Sequence, residues 1–280
     1  MTPLEFTLIT FGISLAAGVL GSLLGLGGGI IVVPALTLLL GIDIRFAIGA
    51  SIISIIATSC GAAAAYVRGQ MANLRVAMLL EMATAAGAVS GAYVAGRINS
   101  VFLYIIFGLV LAYSALAMFR KRHEHIGDPA PPDPLATRLR LHSVFYDRAA
   151  RKEIVYQVTH TRLALGVMYV AGVLSGLLGI GSGILKVPAM DIAMHLPIKV
   201  STATSTFMIG VTGAASAGVY FARGEIDPFI AGPVAAGVVL GATAGSHLLG
   251  RLQNRHIRIV FVVILLWTSL QMLRKGWSGL

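Results

Sequence analysis

The sequence predicts an all-α integral membrane protein made of two tandem repeats, each of four to five helical segments with a glycine-broken piece near its start. Three observations carry this. The chain of 280 residues is 57% hydrophobic and 11% charged, whereas soluble domains carry about 25% charged residues, so there is too little polar surface to face water. Its apolar stretches run to the length of about 20 residues that a helix needs to cross a bilayer. The first part of the chain also recurs in the second at a fixed spacing, the signature of a repeat architecture.

Taken in order, spans are expected at about 5–24, 46–67, 74–96 and 101–119, and again near 163–178, 200–222, 228–249 and 257–273. Two apolar pieces, 30–40 and 184–194, are too short to span alone, and each follows a glycine cluster. They read as half-helices. The repeat shows in GVLGSLLGLGGGIIVVPAL (Gly18 to Leu36) against GVLSGLLGIGSGILKVPAM (Gly172 to Met190), identical at 12 of 19 positions with a spacing of 154. Tyr66-Val67-Arg68-Gly69 answers Tyr220-Phe221-Ala222-Arg223-Gly224, and Gly87, Gly91, Gly96 and Arg97 answer Gly241, Gly245, Gly250 and Arg251. The boundaries that follow are a first transmembrane repeat over 1–119, a polar basic linker over 120–160 and a second transmembrane repeat over 161–280.

The formal charge of +10 is concentrated at segment ends and in the linker, where nine of the 21 Lys and Arg lie between Arg120 and Arg162. Such charge resists translocation and places the linker in the cytoplasm. No basic, aromatic-interleaved domain is present to hold nucleic acid. Within the linker, HEHIGDPAPPDP reads as an exposed turn-rich stretch, and Ser143–Tyr146 with Ile154–Thr159 as a small β-hairpin. His123-Glu124-His125 on a charged linker reads as solvated rather than as a metal site. Cys60 is the single cysteine, so no intrachain disulfide forms. The N-terminus lacks a basic leader and reads as a retained span.

The glycine runs are the most informative motif. Gly27, Gly28 and Gly29, then Gly181, Ser182 and Gly183, interrupt apolar segments, and Pro34 and Pro188 follow. Non-helical backbone at membrane depth survives only where protein or a water-filled cavity satisfies it. Paired interruptions at matching places in two repeats point to a transporter binding site. Close helix packing is the bland explanation of glycine in membrane helices, and it fits Gly87, Gly91 and Gly245. Hydroxyl clusters near Ser51 and Ser205 are candidates to line a polar cavity. Charged side chains inside spans are functional candidates by default: Lys186 for substrate, Glu81 and His247 for proton coupling. Arg68 and Arg223 sit at helix ends, where snorkelling to headgroups is an even alternative.

The duplicated G-x-G-G-G…V-P pattern, the Y-x-R-G element and the two-repeat layout resemble the TauE/SafE family (also TSUP or DUF81). The resemblance covers the chain apart from the linker. It implies a multi-pass carrier of the bacterial inner (plasma) membrane, a sulfite exporter or relative that moves sulfite, sulfonates or related organosulfur anions, usually outward. Copy two departs from the pattern at Ser182 and Lys186. The expected function is a secondary anion transporter, no enzyme, with substrate bound by Gly27, Gly28, Gly29, Ser51, Gly181, Ser182, Gly183, Ser205 and Lys186. It needs no cofactor and no metal; its partners are a small anion and the lipid bilayer, and a homo-oligomer is allowed. The rival reading is an intramembrane serine hydrolase with Ser182 as nucleophile and His247 as base.

Overall fold

The computed structural model describes residues 2–24, 27–69, 71–120, 133–147, 152–248 and 254–278. The first half runs through α1 (Pro3–Leu24), a short α2 (Gly29–Pro34) that continues as a wide π-helical turn over Ala35–Leu39, α3 (Ile44–Arg68), α4 (Leu74–Ala95) and α5 (Ser100–Arg120). After α6 (Pro134–Arg138) and the hairpin β1 (Ser143–Asp147) and β2 (Lys152–Tyr156), the second half follows. It consists of α7 (Thr161–Leu178), α8 (Gly183–Pro188) with a π-helical turn over Ala189–Ala193, α9 (Ile198–Ala222), α10 (Pro228–Leu248) and α11 (Asn254–Trp277). Six of these helices, α1, α3, α4, α7, α9 and α10, are long and apolar enough to cross a membrane. Their outer faces carry exposed Leu8, Met78, Met82, Val170, Phe221 and Leu240, a surface that lipid covers at no cost.

The half-helices form where expected, but the prolines do not end them. Pro34 and Pro188 lack an N–H, and the chain passes each into a wider turn, as where Met194 N reaches back five residues to Ala189 O (3.3 Å); Ile42 N to Leu36 O (3.1 Å) and Leu196 N to Met190 O (3.0 Å) then close the two pieces. The last carbonyls of the first piece find a cation: Lys275 Nζ on α11 donates to Thr37 O at 2.8 Å, the favourable sign at a helix C-terminus.

The long helices pair across the chain's two halves. In one seam α1 lies against α10 and in another α4 against α7, each pair running in the same direction. Glycines let the backbones touch: Gly91 faces Val173 O, Gly176 faces Ala88 O, Gly18 faces Val238 O and Gly237 faces Phe11 O. Small residues at such seams supply the close packing that replaces a hydrophobic drive inside lipid. The central pair α3 and α9 runs antiparallel: Ala62 packs with Ala203, Ser59 Oγ donates to Phe207 O (3.3 Å), and Gly213 faces Ile56 and Ile52. The outer pair α5 and α11 is antiparallel too, with Gly108 against Leu273 and Gly276 against Ile105.

Outside the membrane layer, the linker hairpin is antiparallel, with Phe145 opposite Ile154 and Ser143 opposite Tyr156. Its strands alternate: Phe145 and Tyr156 are buried, while Val144, Tyr146 and Val155 are exposed. Asn73 ties it down. As N-cap of α4 its side chain accepts from Val76 N, and its Nδ2 donates to Leu141 O (2.9 Å) and Tyr156 Oη (3.0 Å). Asp133 caps α6 through Leu135 N (2.9 Å) and also accepts from Thr161 N (2.7 Å), the first residue of α7. The segment containing His123, Glu124 and His125 lies outside the described residues.

Two outcomes test this architecture. Gly91→Leu or Gly176→Leu, pressed against backbone, should lower the melting temperature of detergent-purified protein by the equivalent of at least about 1–3 kcal/mol, the usual cost of overpacking. Gly166→Leu, which meets open space, should leave it unchanged. Thr161 holds the Asp133 carboxyl below its ordinary range, so this tie stabilises the fold above a pH of about 4 and is lost as pH falls through the depressed folded value. Asp133→Asn should therefore melt earlier than wild type at neutral pH, and the difference should vanish in acid.

Candidate functional site

The two glycine interruptions meet at the centre of the molecule, between α3 and α9. Gly27 and Gly181 adopt matching left-handed conformations, φ +77° and +78°, which glycine reaches without steric cost. A methyl group added to Gly29 would lie 2.5 Å from Gly179 O, and one added to Gly27 would lie 4.0 Å from Ile180 O. The breaks therefore face each other. Over them close two isoleucines. Ile209 Cγ2 would lie 3.5 Å from a methyl on Gly27 and 3.0 Å from one on Gly181, and Ile55 borders the same two positions. Ile55 and Ile209 are themselves 154 residues apart.

Each break opens a half-helix whose first backbone N–H groups have no intrahelical acceptor and carry the positive end of its dipole. Gly28 is the N-cap of α2 and Ser182 that of α8. The two caps are not equivalent: Gly28 is right-handed at φ −66°, whereas Ser182 is left-handed at φ 51°. Two hydroxyls stand by these ends with no hydrogen-bond partner among the described residues. Ser54 Oγ on α3, fully buried, lies 3.0 Å from where a Gly28 methyl would sit, and Ser182 Oγ is 5% exposed. Unpaired polar atoms this deep are costly and call for an explanation.

The remaining site residues divide. Ser51 is buried beside the breaks, but its hydroxyl donates to Gly179 O at 2.5 Å, satisfying the end of α7. Gly183 begins α8 and is buried, as is Ser205 on α9. Lys186 sits one turn into α8, its N–H bonded to Ser182 O (2.9 Å). Its side chain is fully buried and turns to α9 and α4, donating from Nζ to Thr212 Oγ1 at 2.5 Å, with Glu81 Oε2 at 3.5 Å. Thr212 Oγ1 in turn donates to Glu81 Oε1 at 2.6 Å. Glu81 and Lys186, assigned separate tasks on sequence grounds, are thus one buried ion pair bridged by a threonine. The His247 side chain lies outside the described residues.

Sequence reasoning missed Ile55 and Ile209, and took Ser54 and Thr212 only as members of the hydroxyl clusters. The spacing of 154 was the available signal for the isoleucine pair. Arg223 does not snorkel. Its guanidinium donates to Ala92 O (2.7 Å), pairs with Glu225 (2.7 Å) and stacks over Tyr220 at 4.4 Å, while Tyr220 Oη donates to Gly176 O at 2.8 Å. This cluster holds the ends of α4, α7 and α9 together just beyond the second break. The Arg68 side chain lies outside the described residues. The hydrolase reading finds no support: the Ser182 hydroxyl has no hydrogen-bonded base among the described residues.

The family model described as Sulfite exporter TauE/SafE matches residues 10–272. The probable membrane transporter protein YunE of Bacillus subtilis is 28% identical over 94% of this chain and 96% of its own. A probable membrane transporter protein of Xylella fastidiosa is 25% identical over 99% and 98%, and MJ0441 of Methanocaldococcus jannaschii, named likewise, is 26% identical over 89% and 88%. No solved structure matches the chain. A multi-pass helical protein whose relatives are membrane transporters along their whole length is itself a membrane transporter, and this chain belongs to the TauE/SafE family.

Proposed function

We propose that this protein is a secondary exporter of a small anion, such as sulfite, a sulfonate or a related organosulfur compound, across a bacterial inner membrane. The single observation that carries the reading is that the two breaks, each opening a half-helix, lie against one another between α3 and α9, with two buried hydroxyls, Ser54 and Ser182, beside them that have no hydrogen-bond partner among the described residues. Helix N-termini bind anions through unpaired N–H groups and a partial positive charge. The outward direction rests on the family's description as sulfite exporter.

The halves are, on this reading, two inverted repeats. Helices α3 and α9 begin at Ile44 and Ile198, α2 and α8 at Gly29 and Gly183, each pair separated by 154 residues. The matched helices α3 and α9, and α5 and α11, run antiparallel, which a pseudo-two-fold axis in the membrane plane produces and an axis along the normal does not. The linker then faces the cytoplasm. Access to the breaks requires Ile55 and Ile209 to withdraw, and rocking of one half against the other would alternate the side from which they open. Glu81 is the proton-coupling candidate that the geometry favours; His247 remains a second.

Reconstituted into proteoliposomes, the protein should move at least one member of a panel of sulfite, sulfonates and small carboxylates down its gradient. Ser182→Gly suits the φ of 51° and removes the unpartnered hydroxyl, so it should keep folding intact while raising the KM for that anion about tenfold, the value of one charge-assisted hydrogen bond. Ile55→Ala with Ile209→Ala should raise uncoupled leak. A panel on which no anion moves or binds would overturn the assignment.

A further inference from the structure

The half-helices recur in the two halves, but the charge beside them does not. At the spacing that matches the halves, Lys186 corresponds to Val32, Glu81 to Ala235 and Thr212 to Thr58. Thr58 and Thr212 behave alike, each within hydrogen-bonding distance of the carbonyl four residues back (2.8 and 3.0 Å). Only the second half adds a lysine and a glutamate around its threonine. Thr212 also lies one turn from Ile209, on the face that covers both breaks. The ion pair therefore flanks the proposed anion site and touches one half-helix alone.

Its hydrogen bonds form a chain with a direction. Lys186 Nζ donates to Thr212 Oγ1, whose single proton goes to Glu81 Oε1. The pair is buried to 0% and 7% side-chain exposure. Two opposite charges together are tolerable there, whereas one left alone costs several kcal/mol. Lys186 is the charged group that faces Glu81. Of the titratable side chains on the elements packed around it, Tyr169 on α7 is taken by Ser90 (3.3 Å) and Tyr220 on α9 by Gly176 O. Arg75, near the start of α4, donates to Arg140 O (2.9 Å). Arg162 stands near the start of α7, Asp191 lies five residues beyond Lys186, and Lys199 lies about 20 Å along α9 from Thr212 by helix rise.

An anion that takes Lys186 as its counter-ion displaces Glu81 from it, and the site would then carry an uncompensated carboxylate. A proton on Glu81 restores neutrality. Resting on the anion-transporter reading above, we propose that Glu81 and the substrate anion compete for Lys186, so that one proton, taken from the water that delivers the anion, rides on Glu81 for each anion bound and leaves with it. Thr212 is the positioning residue that switches: with Glu81 protonated its hydroxyl turns to Met208 O, 3.0 Å away. Coupling is thereby confined to one half of a symmetric core, and the exported species is an anion together with a proton.

Calorimetry on the full-length protein in detergent decides this. Anions that stay fully ionised across the range, methanesulfonate and sulfate, are titrated in two buffers of different ionisation enthalpy, so that any proton exchanged belongs to the protein. Wild type should take up about one proton per anion, and its affinity should fall about tenfold per pH unit where Glu81 is ionised in the free protein. An infrared difference spectrum on adding the anion should show a new protonated-carboxyl band. In Glu81→Gln the anion should bind without proton uptake or pH dependence, and that band should be missing; Lys186→Met should lose anion binding. Should Glu81→Gln fail to fold, the wild-type titration and spectrum still decide. Anion binding without proton uptake, or uptake that persists in Glu81→Gln, overturns the coupling and leaves the transporter standing. Absence of both binding and flux for every anion overturns the transporter reading and the coupling with it.

Discussion

Every backbone N–H and C=O at membrane depth must find a partner inside the protein, and the two central helix breaks are where this chain meets that demand least easily. Much of the rest can be read as its consequence. The carbonyl of Gly179 at the end of α7 is taken by Ser51 from the other half of the chain, and those of Gly176 and Leu177, three and two residues earlier, by Tyr220. The carbonyl of Thr37, where the first half-helix runs out, is taken by Lys275. Antiparallel α3 and α9 bring both breaks to one place, so each half supplies groups that the other half needs. What is left over at the break itself, among the described residues, is the start of each half-helix and the Ser54 and Ser182 hydroxyls, groups that the proposed anion would satisfy.

Symmetry and its violation divide the labour. The glycines at positive φ, the covering isoleucines and the threonine pair recur at one spacing, which suits the proposed alternating opening of the two breaks. The Lys186–Thr212–Glu81 chain occurs in one half only. A neutral buried pair adds little stability and is expensive to break. Its retention beside an otherwise uncharged anion site makes more sense as a means of linking two ligands than as a means of holding the fold.

Much of the fold was legible because its signals are periodic or compositional. Spans declare themselves by length, the half-helices by glycine and proline around pieces too short to cross, and the hairpin by the β-branched and aromatic runs Ser143–Tyr146 and Ile154–Thr159. Pro34 and Pro188 forbid one hydrogen bond each, and the regular α-helix passes into a π-helical turn at each of them. The candidate site was legible in its backbone and not in its side-chain pairing. Glu81 and Lys186 lie 105 residues apart, on helices whose adjacency follows from which faces carry small residues, and no local pattern encodes that. Nor does composition reveal that Ser51 is spent on a carbonyl while Ser54, one turn away, is not.

The central claim is that one anion sits between the N-termini of α2 and α8, and a crystal structure with bound selenate, a heavy tetrahedral analogue of the proposed substrates, tests it most directly. The account predicts an anomalous peak within hydrogen-bonding reach of the Gly28–Gly29 and Ser182–Gly183 backbone and of the Ser54 and Ser182 hydroxyls, with Ile55 and Ile209 moved aside. A peak elsewhere in the membrane layer, with both breaks still closed against each other, would contradict it.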